Sequence, residues 1–161
     1  MKALLIAASA AVLVSGCATM MNEELAVATE AEADPMGLPT RAPAYVEMAQ
    51  SSDMFEIESS RLALQRSGNP AVRRFAQMMI NEHTRMSGEM MNMARNMRLP
   101  MSPMQMMPRH AGMMERLSGA SPAEFDMAYR REQLMAHEEA LMLHRTYADR
   151  GDYPPLSALA A

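Results

Sequence analysis

The chain has one cysteine, no tryptophan, three phenylalanines and four tyrosines in 161 residues. One cysteine excludes an intramolecular disulfide framework. Lysine is nearly absent as well, with Lys2 against fourteen arginines, a usage that reflects codon bias more than chemistry. No glycine-rich phosphate loop and no Gly-x-Ser-x-Gly is present, and no glutamate has a histidine three residues on. Nucleotide hydrolysis, serine hydrolase chemistry and a ferritin-type di-iron centre therefore lack their signatures, and the expectation is a protein that is not an enzyme. No window alternates with period two, so strands are not expected. The net charge of −4 is uneven. Thirteen acids balance thirteen arginines between Ala44 and Arg150, and the excess lies in Glu23, Glu24, Glu30, Glu32 and Asp34. A balanced domain behind an acidic stretch gives no reason to expect nucleic acid as a partner.

The N-terminus carries an export pattern. Lys2 precedes an apolar run from Ala3 to Val14 that is too short to span a bilayer. Val14-Ser15-Gly16-Cys17 resembles the lipobox of bacterial lipoproteins, which implies a signal peptide over 1–16 and acylation of Cys17. The membrane partner is then a lipid anchor. Ala18 resembles the residue that sends enterobacterial lipoproteins to the outer membrane, so the expected location is the cell envelope, facing the periplasm.

Residues 17–43 read as an acidic tether broken by Pro35, Gly37, Pro39 and Pro43. A bundle over 44–151 and a short apolar tail over 152–161 follow. The first helix is expected from Ala44 to Arg66, stopping at Ser67-Gly68 with Gly68 as a left-handed cap. The second starts at Asn69-Pro70, a favoured cap and first-position pair, and runs to Arg98. The third opens on the capping box Ser121-Pro122-Ala123-Glu124 and closes near Asp149. Between them, Leu99–Ala120 is a proline-broken connection with a short helix over Arg109–Leu117. The fold class is all-α: an up-down bundle of three long helices with an incomplete fourth. The apolar face left open is expected to be covered by the tail, the tether or a second copy of the chain in a homodimer.

Several of these residues carry a family resemblance. Glu56-Ile57-Glu58 and Arg61-Leu62-Ala63-Leu64, then Asn69-Pro70, Phe75-Ala76 and Glu82-His83-Thr84 are its first half. Leu117-Ser118-Gly119, Phe125-Asp126, Tyr129 and His137 complete it. Over 44–150 the chain resembles the ferritin-like bacterial envelope proteins grouped as domain of unknown function 4142, with the fourth helix missing or truncated. The resemblance implies a four-helix bundle in the envelope, no established activity, and an inner polar cluster of Glu56, Glu82, His83, Asp126 and His137.

Methionine is abundant, at 22 residues. In the second helix Met79, His83, Met86, Met90, Met93 and Met97 recur at spacings of three and four, which is one helix face. A methionine-padded core stripe and a ligand set are both open readings there. Met101, Met104, Met106, Met107, Met113 and Met114 fall instead in the connection, where a surface location is expected and packing does not account for them. Met107-Pro108-Arg109-His110-Ala111-Gly112-Met113 overlaps Met-x-x-His with His-x-x-Met. Sulfur and imidazole favour Cu(I) or Ag(I) over hard cations, and Glu89 is the only acid from Met86 to Met114. The primary metal site is therefore expected at Met107, His110, Met113 and Met114, and a secondary one at Met79, His83, Met86 and His137. The functional expectation is a soft-metal binder for tolerance or trafficking. The alternatives are a methionine-rich docking surface with no metal and an oxidant sink. His137 and His144, seven residues apart, share a face of the third helix.

Overall fold

The computed structural model describes residues 37–161. The expected signal peptide, Cys17 and most of the tether lie outside the described residues. Within them are five helices: α1 Ala42–Arg66, α2 Pro70–Asn96, α3 Pro108–Gly119, α4 Phe125–Arg150 and α5 Pro154–Ala160. None is long and apolar enough to cross a membrane. The architecture is an all-α helical bundle.

Local chemistry sets the helix ends. The Asn69 side chain accepts the Ala71 N–H at 2.9 Å, with Pro70 at the first helical position. Gly68 does not take the left-handed conformation expected of it, since Gly37 is the only glycine with positive φ among the described residues. The Arg73 guanidinium reaches the carbonyls of Leu64 and Ser67 instead, so α1 ends without a glycine cap. At the far end of α2, Arg98 is left-handed at φ 55° and the Leu99 N–H returns to the Ala94 carbonyl at 3.1 Å. That six-to-one bond marks a Schellman stop, two residues earlier than expected. Ser121 bonds the Glu124 carboxylate at 2.6 Å, and a turn over 122–124 delays α4 to Phe125.

Helix α1 is the axis of the fold. It packs against α2, α3 and α4, and α2 has no comparable contact with any other helix. Pairings fix the directions. Gln50–Ser87 and Asp53–His83 place α2 antiparallel to α1, and Ser60–Tyr129 and Ser59–Gln133 do the same for α4. Ser51–His110 and Arg66–Ser118 run α3 parallel to α1. The bundle is therefore up-down-up-down, and its short leg is α3, within the methionine-rich connection. The segment expected at the surface is instead partly built into the bundle, with His110, Met113 and Leu117 buried.

Enclosure on several sides explains why α1 buries Gln50, Ser51, Ser52, Asp53, Glu56, Ser59 and Ser60 alongside Tyr45, Val46, Phe55 and Ala63. Buried polar atoms are costly unless paired, and most of these find partners on neighbouring helices. The core is correspondingly divided. One apolar cluster joins Tyr45, Met90, Leu143, Tyr147 and Leu156, with Met93, Met97 and Met101 packed on it. A second joins Ala63, Val72, Leu117, Phe125 and Tyr129 at the other end. Met90, Met93 and Met97 are thus core padding. The apolar tail forms α5, which folds back on α4 and buries Leu156 against the first cluster. Met113, Met106, Met114 and Met135 surround Phe55 in a third cluster.

Candidate metal centre

Three helices converge midway along the bundle. Asp53 and Glu56 are three residues apart on α1 and share a face. Antiparallel packing brings His83 of α2 and His137 of α4 to that face. The His83 and His137 rings stand at 90° with centroids 5.8 Å apart. One ligand atom from each of Glu56, His83 and His137 lies within 4.8 Å of the others.

Hydrogen bonding assigns the imidazoles. His83 Nδ1–H donates to Asp53 Oδ1 at 2.8 Å. His137 Nδ1–H donates to the Gln133 carbonyl at 2.8 Å and lies 3.3 Å from Glu56 Oε1. Carboxylate and carbonyl partners of this kind orient the rings of metal-binding histidines. The Glu56 side chain is 1% exposed, and its Oε2 has no hydrogen-bond partner. A buried carboxylate oxygen without a donor is costly and calls for a proton or a cation. The Glu56 contact raises the affinity of His137 for protons, against the opposing effect of burial. His137 is 44% exposed, and a 550 Å³ cleft lined by Val72, Phe75, Tyr129 and Leu134 reaches it. The centre is therefore rooted in the interior and open on the α4 side. Two imidazoles and a carboxylate fit a divalent transition metal, with Asp53 as an outer partner.

The expected residues divide clearly. Glu56, His83 and His137 come together, and Glu82 and Asp126 do not join them. Glu82 is 52% exposed and pairs with Arg85 at 3.0 Å, because the residue before His83 points about 100° away around the helix. Asp126 shares a face with His137 but lies eleven residues, about 16 Å, along α4, near the end of the bundle. Met79 is buried and Met86 exposed on either side of His83. The segment expected to lie at the surface is partly buried: Met107 is exposed at the N-cap of α3, Met114 is half-buried, and His110 and Met113 are 2% and 1% exposed.

Asp53 was not singled out by sequence reasoning. Its signal is faint, an acid three residues before Glu56 in a stretch of Ser, Met and Ala. His144 also gains a partner, sharing a 2.7 Å hydrogen bond with the Tyr45 hydroxyl, and burial lowers its pKa. Tyr45 in turn stacks on Tyr147 at 3.9 Å.

The fold has a solved counterpart. A structure of CopM in the Cu(II)-bound form aligns with a TM-score of 0.63 at 22% identity, covering 74% of this chain and 83% of that one. At that identity the likeness concerns the fold. No curated protein matches the chain. The family described as Domain of unknown function (DUF4142) matches residues 26–161, most of the sequence. The chain belongs to that family.

Proposed function

We propose that this protein is a non-catalytic copper-binding lipoprotein of the cell envelope, held by acylated Cys17 and serving metal tolerance or trafficking. Its principal ion binds Glu56, His83 and His137. One observation carries the reading: the imidazoles of His83 and His137 stand beside the buried Glu56 carboxylate, one oxygen of which has no partner. Nitrogen and oxygen donors with an open side favour Cu(II) among the available divalent ions. The expected softer ions, Cu(I) and Ag(I), are less well served by Glu56. That a protein of the same fold has been solved with Cu(II) supports the choice of metal.

The test is a Cu(II) titration of the mature chain against a competing chelator, with electron paramagnetic resonance as the readout of nitrogen ligation. His83→Gln and His137→Gln each weaken binding and remove a nitrogen from the spectrum. Equal affinity in the double variant overturns the assignment.

A docking role has its own support. Met127, Leu134 and Leu141, seven residues apart on α4, are exposed with Met142 beside them. Such a stripe suits a second copy or another envelope protein. Light scattering separates the two readings: a monomer at all concentrations that captures no envelope protein leaves metal binding alone.

A further inference from the structure

A second imidazole is buried on another face of α1, and the Glu56 centre makes no use of it. His110 is 2% exposed and stacks on Phe55, with centroids 6.2 Å apart. Its Nδ1 shares a 2.7 Å hydrogen bond with Ser51 Oγ, which also accepts the Met107 N–H at 2.7 Å. Nε2 has no hydrogen-bond partner. Glu139 Oε2 lies 3.6 Å away, beyond hydrogen-bond distance and itself without a hydrogen-bond partner, while Glu139 Oε1 pairs with the Arg109 guanidinium. Burial and Arg109 both lower the pKa of the ring.

Thioethers pack around Phe55, the ring on which His110 stacks. Met113 is 1% exposed and lies one helical turn past His110, with Met114 beside it. Met113 packs with Phe55, and Met106, Met114 and Met135 close around that pair. Met113 and Met135 also line an open cleft between α3 and α4, together with Arg109, Arg116, Arg131 and Glu132.

We infer that His110 Nε2 and the Met113 thioether form a second ion site for a soft monovalent cation, Cu(I) or Ag(I), with Met106, Met114 and Met135 as the reserve of sulfur ligands. An imidazole nitrogen and thioether sulfurs suit a weakly hydrated soft ion at low coordination number, and the Glu139 carboxylate 3.6 Å from Nε2 would balance its charge. A packed core alone explains the methionines. It does not explain an imidazole nitrogen left without a partner among them. The inference goes beyond the copper reading above, because its residues, its ion class and its test are separate.

Ag(I) is the probe, added to the mature metal-free chain and followed through the methionine methyl resonances. The first equivalent shifts Met113 and its neighbours. His110→Gln weakens binding about tenfold or more, while His137→Gln leaves it unchanged. Should His110→Gln fail to fold, Met113→Leu conserves volume and carries the same expectation. Shifts confined to the exposed Met78, Met104 and Met127, or undiminished affinity in Met113→Leu, overturn the site. Loss of Ag(I) binding in His137→Gln instead assigns the ion to the Glu56 centre and equally overturns it. Failure of Cu(II) binding there leaves this outcome untouched.

Discussion

Asp53 and His83 are thirty positions apart and meet at 2.8 Å between α1 and α2, both largely buried. The contact orients the imidazole that stands beside Glu56 and His137. Removing the carboxylate should leave the ligands in place and loosen one of them. Asp53→Ala is expected to lower Cu(II) affinity about 10–100-fold, the usual cost of losing an outer partner. Glu82→Gln, one residue from His83 and on the outer surface, leaves affinity unchanged. Chelator competition measures both.

Gly151 joins α4 to α5 where no side chain fits. A Cβ there would lie 2.5 Å from the Tyr147 carbonyl and 2.5 Å from Ser157 Oγ. The carbonyl belongs to the helix backbone and cannot step aside. Gly151→Ala therefore pushes α5 off and uncovers Leu156, destabilising the fold by about 1–3 kcal/mol. Thermal melts and amide exchange in 154–160 check this. An unchanged melting temperature would show that α5 contributes little.

Glu132 is buried between two exposed arginines, with Arg116 at 2.7 Å and Arg131 at 2.9 Å. Burial alone would raise its carboxyl pKa, and the two guanidiniums outweigh that and lower it. A lowered folded-state value means stability that is present above the unfolded carboxylate pKa and lost as pH falls through the folded one. Replacing both arginines by alanine leaves burial unopposed, so the folded value rises and stability is lost as pH rises. The double variant is thus expected to cost about 3 kcal/mol at neutral pH and to recover toward acid pH, opposite in slope to the parent. Urea melts from about pH 2 to 7 distinguish the two slopes, since the parent loses stability below the ordinary glutamate value of about 4.3 and the variant above it.

Tyr45, Tyr129 and Tyr147 are fully buried, and burial raises the phenol pKa of each, that of Tyr129 to about 12. Raised values contribute stability below the unfolded phenol pKa, about 10, and lose it as pH climbs toward the folded values. Alkaline titration by phenolate absorbance should show these three ionising late and together with unfolding. Ser60→Ala orphans the Tyr129 hydroxyl, now bonded at 2.7 Å, and costs about 1–3 kcal/mol.

Features set by near neighbours were legible in advance. Asn69-Pro70 starts α2 because a side-chain cap and a fixed φ act within three residues. The helix count in the long legs and the all-α class followed from apolar spacing in the same way. Features that depend on a facing element were not. Gly68 was expected to end α1, and Arg73 from the next helix took the carbonyls. Met101 to Met114 were placed at the surface because prolines break that segment. Yet α3 is folded in as the short leg of the bundle and buries His110 and Met113.

The sequence by itself determined an all-helical bundle, where α2 begins, and which histidines were worth watching, since these rest on local caps, periodicity and side-chain chemistry. Only the tertiary structure decided that Asp53, not Glu82, stands behind His83, and that His110 looks inward. The reason is rotational. Spacing along a helix says which residues share a face, but the face that meets a neighbour is settled by how three helices pack around α1.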